Sequence, residues 1–273
     1  MKLVGKRGQP YVLLDPLVQR KGKRCNVWSA AKQNDPMQQF VLKQPDDEDG
    51  LGWPEFTKEM EMQELLYKSG YVRRMIDVIP PPSDAEPQTM VLETSEKSLW
   101  TARLRRPFSL GEVRSVMRSI AIGLGTIHHN NLVYTDLKME NILVNGFDNE
   151  TSGSDEHLVT KIADLEMAHA DFEKPGMFDS LKVEGTLIDK ENAIRATMAQ
   201  EFDLHSIEYY NSDSDTRQLL PPKDETRTEL DHWVVKLIEK NIPEKDVETV
   251  HVALNPIPEL RPRALDLLEY DYV

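Results

Sequence analysis

The sequence predicts an α+β fold in which a strand-rich N-terminal portion carries one helix and a mainly helical portion follows from about residue 95 onward. Three observations predict it. Short apolar stretches alternate with turn residues through the first third of the chain. One stretch of strong helix formers interrupts them. A 20-residue amphipathic stretch, Leu110 to His129, then changes the period from 2 to 3.6.

The elements follow in order. YVLLDPLV, CNVWSAA and QQFVLK read as short strands, and Pro45–Pro54 as an acidic loop. Phe56–Lys68, FTKEMEMQELLYK, is made of helix formers and stops at Gly70. MIDVI and TMVLE, separated by PPPSDAEPQ, are two further strands. In LGEVRSVMRSIAIGLGTIHH, residues Val113, Val116, Met117, Ile120, Leu124 and Ile127 share one helical face, and Ser109-x-x-Glu112 is a capping box. NILV and HLVTKIAD form a hairpin across the polar connection NGFDNETSGSDE. The remainder is mostly helical, and no internal repeat is visible.

The chain has 273 residues, 39% hydrophobic and 29% charged, which suits a globular protein with ample length for a core. No apolar run approaches the length of a membrane span, and no signal peptide is read at the N-terminus, so the expectation is an intracellular protein, cytoplasmic or nuclear, with no membrane partner. The one cysteine, Cys25, excludes a disulfide framework and a cysteine zinc cluster. A net charge of −14 argues against nucleic acid as a partner and suits a basic protein partner, although a solvated acidic surface explains it as well.

The chemistry concentrates in VYTDLKMENILV, where Asp136, Lys138 and Asn141 follow the long helix and precede a strand. A second acid, Asp164, ends the next strand, and Lys43 closes an earlier one. Transfer of a phosphoryl group from ATP asks for this set of charges. One acid orients the hydroxyl nucleophile, an amide and a second acid hold magnesium, and lysines neutralise the phosphates.

At these residues the chain resembles the eukaryotic protein kinase family. YTDLKMENILV is similar to the catalytic loop H-R-D-L-x-x-x-N, and its TDLK form is similar to that of SR-protein kinases and many fungal kinase-like proteins. The resemblance implies a two-lobed protein kinase fold over 1–273. An antiparallel sheet and one helix make a small lobe (1–93), and the hinge and a mainly helical large lobe follow (94–273). It implies Asp136 as catalytic base and Lys138 at the γ-phosphate. Asn141 and Asp164 become ligands of Mg2+ (or Mn2+), and Lys43 the partner of the α/β-phosphates. Lys43 then needs a helix glutamate, for which Glu59 is preferred and Glu61 is the alternative. ATP would lie against the hinge from Glu93 to Ser95, with Leu92 guarding the back of its pocket.

The sequence also departs from the family. When Val27 is aligned with the valine of G-x-G-x-x-G-x-V, Arg20, Gly22 and Cys25 fall on the glycine positions, so Gly22 alone survives. D-F-G becomes Asp164-Leu165-Glu166, and threonine replaces the usual arginine at Thr135, which implies no dependence on activation-loop phosphorylation. Spacing matches Gly185-Thr186, Glu191, Asp203 with His205, and RPRA with Arg261 to late landmarks of the family. A buried Glu191–Arg261 ion pair is the resulting expectation. The implied function is ATP-dependent, slow phosphorylation of serine or threonine on a protein substrate. The alternative is an impaired pseudokinase that binds nucleotide or protein.

Overall fold

The structure is a computed structural model. It describes residues 3–17, 25–45, 53–81, 83, 86–147, 158–165, 168–169, 186–212, 214–223 and 232–269. The chain divides into two compact units, Met1–Lys174 and Pro175–Val273.

The first unit opens with β1 (Leu3–Val4), β2 (Pro10–Pro16), β3 (Val27–Lys32) and β4 (Asp35–Lys43), followed by helix α1 (Trp53–Leu65), β5 (Met75–Ile79) and β6 (Thr89–Glu93). The six strands form one antiparallel sheet in the order β1-β2-β3-β4-β6-β5. Strand side chains alternate between faces, so the sheet builds two apolar layers. Tyr11, Ala30, Phe40, Leu42, Ile79 and Val91 form one. Val41, Val78, Met90 and Leu92 form the other, covered by Phe56 and Met60 of α1. The residues α1 buries are Phe56, Glu59, Met60 and Gln63, the i, i+3, i+4, i+7 stripe of a surface helix.

Next come β7 (Lys97–Ser98), α2 (Leu99–Ala102), α3 (Leu110–His129), β8 (Val133–Tyr134), β9 (Ile142–Asn145), β10 (Val159–Ile162) and β11 (Ala168–His169). The expected 20-residue helix forms with the expected cap. Ser109 Oγ accepts from the Glu112 backbone, and the Glu112 carboxylate accepts from the Ser109 backbone. β9 and β10 pair antiparallel as the expected hairpin, with Ile162 opposite Ile142. Two short pairings carry no readable sequence period: β7 on β9, and β11 on β8. The core here gathers Leu66, Val72, Val116, Ile127, Leu132, Tyr134, Ile142, Ile162 and Leu165. Gly123 lets α3 approach β10, because a Cβ there would meet Ile162 Cδ1 at 2.9 Å and the Tyr71 carbonyl at 3.1 Å.

The second unit holds helices α4 (Leu187–Glu201), α5 (Glu208–Asn211), α6 (Ser214–Leu219), α7 (Trp233–Glu239) and α8 (Glu244–Ala253). Thr186 and Asp189 form a capping box at the start of α4. Helix α7 packs Trp233 against Phe202 and His251. One expectation needs correction. Arg261 is exposed, and its guanidinium caps the preceding turn, donating from Nε to the Asn255 carbonyl at 2.5 Å and from Nη2 to the Pro256 carbonyl at 3.2 Å. It therefore makes no buried ion pair. Glu191 lies on α4, and its side chain is outside the described residues.

Candidate active site

Lys43 ends β4, one strand away from Val27, its cross-strand partner on β3. Its Nζ donates to Glu59 Oε2 at 2.8 Å and Oε1 at 3.0 Å, and to Asp164 Oδ1 at 2.8 Å. The open choice between Glu59 and Glu61 is thereby decided. Glu59 is 2% exposed and on the stripe that α1 turns to the sheet, whereas Glu61 faces outward. Burial works against the charge on Lys43, but Glu59 and Asp164 outweigh it, so the ammonium holds its proton more firmly than an ordinary lysine. Burial likewise pushes the Asp164 carboxyl up, yet the charge of Lys43 and its hydrogen bond prevail, and the net shift is downward. Both groups are ionised at neutral pH.

Asp164 sits just past β10 with φ at +61°, a left-handed conformation that Asp adopts more readily than most residues. Its neighbour Leu165 is fully buried in the core beneath. Glu166 and Gly22 lie outside the described residues.

The second half of the site hangs from β8. Tyr134 stands where the family motif has histidine. Its buried hydroxyl donates to the Ala163 carbonyl at 2.8 Å, tying the loop to the residue before Asp164. The sequence motif gave no hint of this bond. Asp136 Oδ2 accepts from Lys138 Nζ at 2.7 Å and from Asn141 Nδ2 at 2.7 Å, and Asn141 Nδ2 also reaches the Asp136 carbonyl at 3.1 Å. The hydrogen bond from Lys138 to Asp136 raises the lysine's proton affinity. Asn141 is buried, and its backbone carbonyl accepts from Ala163 N at 2.8 Å, a second tie between the loop and the approach to Asp164. Lys43, Glu59, Asp136, Lys138, Asn141 and Asp164 thus form two hydrogen-bonded groups on adjoining elements.

At the end of β6, Glu93 is held from three sides. Lys161 Nζ and the Arg74 backbone both reach its Oε1, at 2.6 and 2.9 Å, and Arg73 Nε donates to its backbone carbonyl at 2.9 Å. Ser95, half-buried, lies in the connection to β7. Leu92 is 3% exposed in the apolar layer under α1.

The acid and amide oxygens suit a hard cation. Asn141 keeps its side-chain oxygen clear of the amide bond to Asp136, and Asp164 keeps Oδ2 clear of Lys43. Among the described residues, no group of three or more His, Cys, Asp or Glu side chains could hold a metal ion. A divalent ion bound together with substrate phosphates and water needs only one or two protein oxygens.

A profile described as the protein kinase domain matches residues 21–187. The meiosis induction protein kinase IME2/SME1 of Saccharomyces cerevisiae is 34% identical over 97 residues, which covers 32% of this chain. The chain spans 15% of that relative's length. An antiparallel sheet, a helix whose buried glutamate meets a sheet lysine, and a following helical portion make up the two-lobed α+β fold of a nucleotide-dependent phosphotransferase. The chain belongs to the eukaryotic protein kinase family. The matched region ends at residue 187, before the Glu191, Asp203 and Arg261 landmarks read from spacing. No described helix is long and apolar enough to cross a membrane.

Proposed function

We propose that this chain is an ATP-dependent kinase that phosphorylates serine or threonine on a protein substrate, and that residues 1–273 form one kinase domain. The observation that carries the reading is the sharing of Lys43 Nζ between Glu59 and Asp164, which fixes a cation beside a carboxylate of the kind that binds metal. Lys43 neutralises the α/β-phosphates, and Lys138 the γ-phosphate. Asp136 receives the proton of the attacking hydroxyl. The bonds from Lys138 and Asn141 hold its carboxylate in place. Val27 and the Glu93–Ser95 hinge border the nucleotide, and Gly22 keeps the cofactor-binding role that the sequence motif implies for it. Asn141 and Asp164 hold Mg2+ (or Mn2+), which supplies charge neutralisation on the phosphates. The net charge of −14 favours a basic substrate segment.

A second reading, a nucleotide-binding or protein-interaction module without turnover, draws on Arg20 and Cys25 at two glycine positions and on Glu166 at the third position of the D-F-G motif. A thermal-shift titration with ATP, with and without Mg2+ or Mn2+, tests the shared premise. Nucleotide at 100 times its Kd raises stability by about 2.7 kcal/mol. A metal-dependent rise in melting temperature that shrinks in Asp164→Asn is expected. No rise at millimolar ATP in the parent chain removes ATP from both readings.

A further inference from the structure

A cation that the family motifs do not account for reaches the Glu93 carbonyl. Arg73 lies between α1 and β5, where its backbone N–H donates to the Ile162 carbonyl at 2.7 Å. That bond anchors it beside β10, two residues from Asp164. From there its side chain runs to the end of β6 and donates Nε–H to the Glu93 carbonyl at 2.9 Å. Its amino groups have no other hydrogen-bond partner among the described residues. The guanidinium is close enough to Glu93, Asp164 and Glu59 to feel all three charges. Burial lowers its pKa and these acids oppose the shift, which leaves it at about 10, so it is a cation at neutral pH. Arg74, the next residue, is exposed and pairs with the Glu93 side chain instead.

A guanidinium has donors and no acceptor. Placed at the hinge carbonyl, it occupies an acceptor and adds donors and positive charge in a site partly shielded from water. A nucleobase edge that carries an amine meets a competitor there, while an edge that carries an oxygen meets a partner. This argument rests on the nucleotide reading above. We propose that Arg73 sets the nucleobase preference of this site, favouring purines with an oxygen at position 6 over adenine with its amine.

Titration calorimetry of the full chain with the Mg2+ complexes of ATP, GTP and inosine triphosphate tests it. The inosine nucleotide isolates the oxygen, since it lacks the 2-amino group of guanine. The parent chain is expected to bind both 6-oxo nucleotides roughly tenfold tighter than ATP, because a buried donor left without its acceptor discriminates strongly. Arg73→Leu should bring that ratio below one. If the leucine variant does not fold, Arg73→Gln gives the same comparison, with the ratio falling toward one. A loss of fold quality alone would weaken all three nucleotides together and leave the ratio unchanged. A parent chain that prefers ATP, or a ratio that does not move in the variants, overturns the inference and leaves nucleotide binding intact. Absence of binding by all three nucleotides, in the parent and in the variants, overturns the nucleotide reading and this inference with it.

Discussion

Asp136→Asn should reduce phosphoryl transfer by about 10²- to 10⁴-fold, the usual contribution of a positioned general base, while nucleotide-dependent stabilisation stays near the parent value. The substitution is close to isosteric. Asparagine keeps a side-chain oxygen where Asp136 Oδ2 accepts from Lys138 and Asn141 at 2.7 Å, so both hydrogen bonds can persist. What disappears is the charge and the capacity to take the proton of a substrate hydroxyl. Of the two cations assigned to the phosphates, Lys43 is held by Glu59 and Asp164 and makes no hydrogen bond to Asp136, and Lys138 keeps an acceptor oxygen in asparagine, so binding should not follow activity down. Transfer of label from γ-labelled ATP to a protein acceptor, run beside a thermal-shift titration, separates the two quantities. Transfer that survives Asp136→Asn sinks the assignment of the base. A parent chain that nucleotide stabilises but that transfers no phosphate supports the module reading.

The parts of the site that were legible in the sequence are those whose chemistry is local. Asp136, Lys138 and Asn141 lie within six residues, and the folded loop brings their side chains together as their spacing implies. The glutamate that meets Lys43 was only half legible. Helical periodicity offered both Glu59 and Glu61, and the choice depends on which stripe of α1 faces the sheet, which is a tertiary fact. Arg73 was not legible. Nothing in the sequence distinguishes it from its neighbour Arg74, and what separates them is a backbone bond from Arg73 to Ile162, 89 residues further on. Arg261 failed for a related reason. Sequence distance matched it to a family landmark, but its guanidinium is taken by carbonyls five and six residues upstream. β7 and β8 are two residues each, too short for any period to register.

The largest stability effect is expected at the start of α3, from Glu112→Ala. Glu112 Oε2 accepts from the Ser109 backbone at 2.8 Å and from Arg106 Nη1 at 2.9 Å, and Oε1 accepts from Arg106 Nη2 at 2.6 Å. One carboxylate therefore completes a helix cap and binds a two-pronged guanidinium. Arg106 in turn donates to the Phe147 carbonyl at 3.0 Å and lies 3.9 Å from the centre of the buried Phe147 ring. Alanine removes the cap, worth about 1 kcal/mol, and strands Arg106 beside an apolar cluster. Breaking a buried pair typically costs about 3–5 kcal/mol. Since the Arg106 side chain is 36% exposed, the low end of that range applies, and about 3 kcal/mol overall is expected out of a domain's roughly 5–15 kcal/mol. Glu112→Gln keeps the shape and loses the charge, so it should fall between. Acid should reproduce the effect. The hydrogen bond from Arg106 leads the causes that hold the Glu112 carboxyl down to about 2, against its ordinary 4.5. A depressed carboxyl contributes its full stabilisation above the unfolded value, and loses it as pH falls from about 4.5 toward 2. Urea unfolding at pH 7 and across that window measures both. The midpoint should drop in Glu112→Ala at pH 7, and the parent should lose more stability than Glu112→Gln on acidification. Equal midpoints at pH 7 and parallel acid profiles would refute the role given to Glu112. The expected loss extends to the site, because α3 packs through Gly123 against β10, the strand that delivers Asp164 to Lys43.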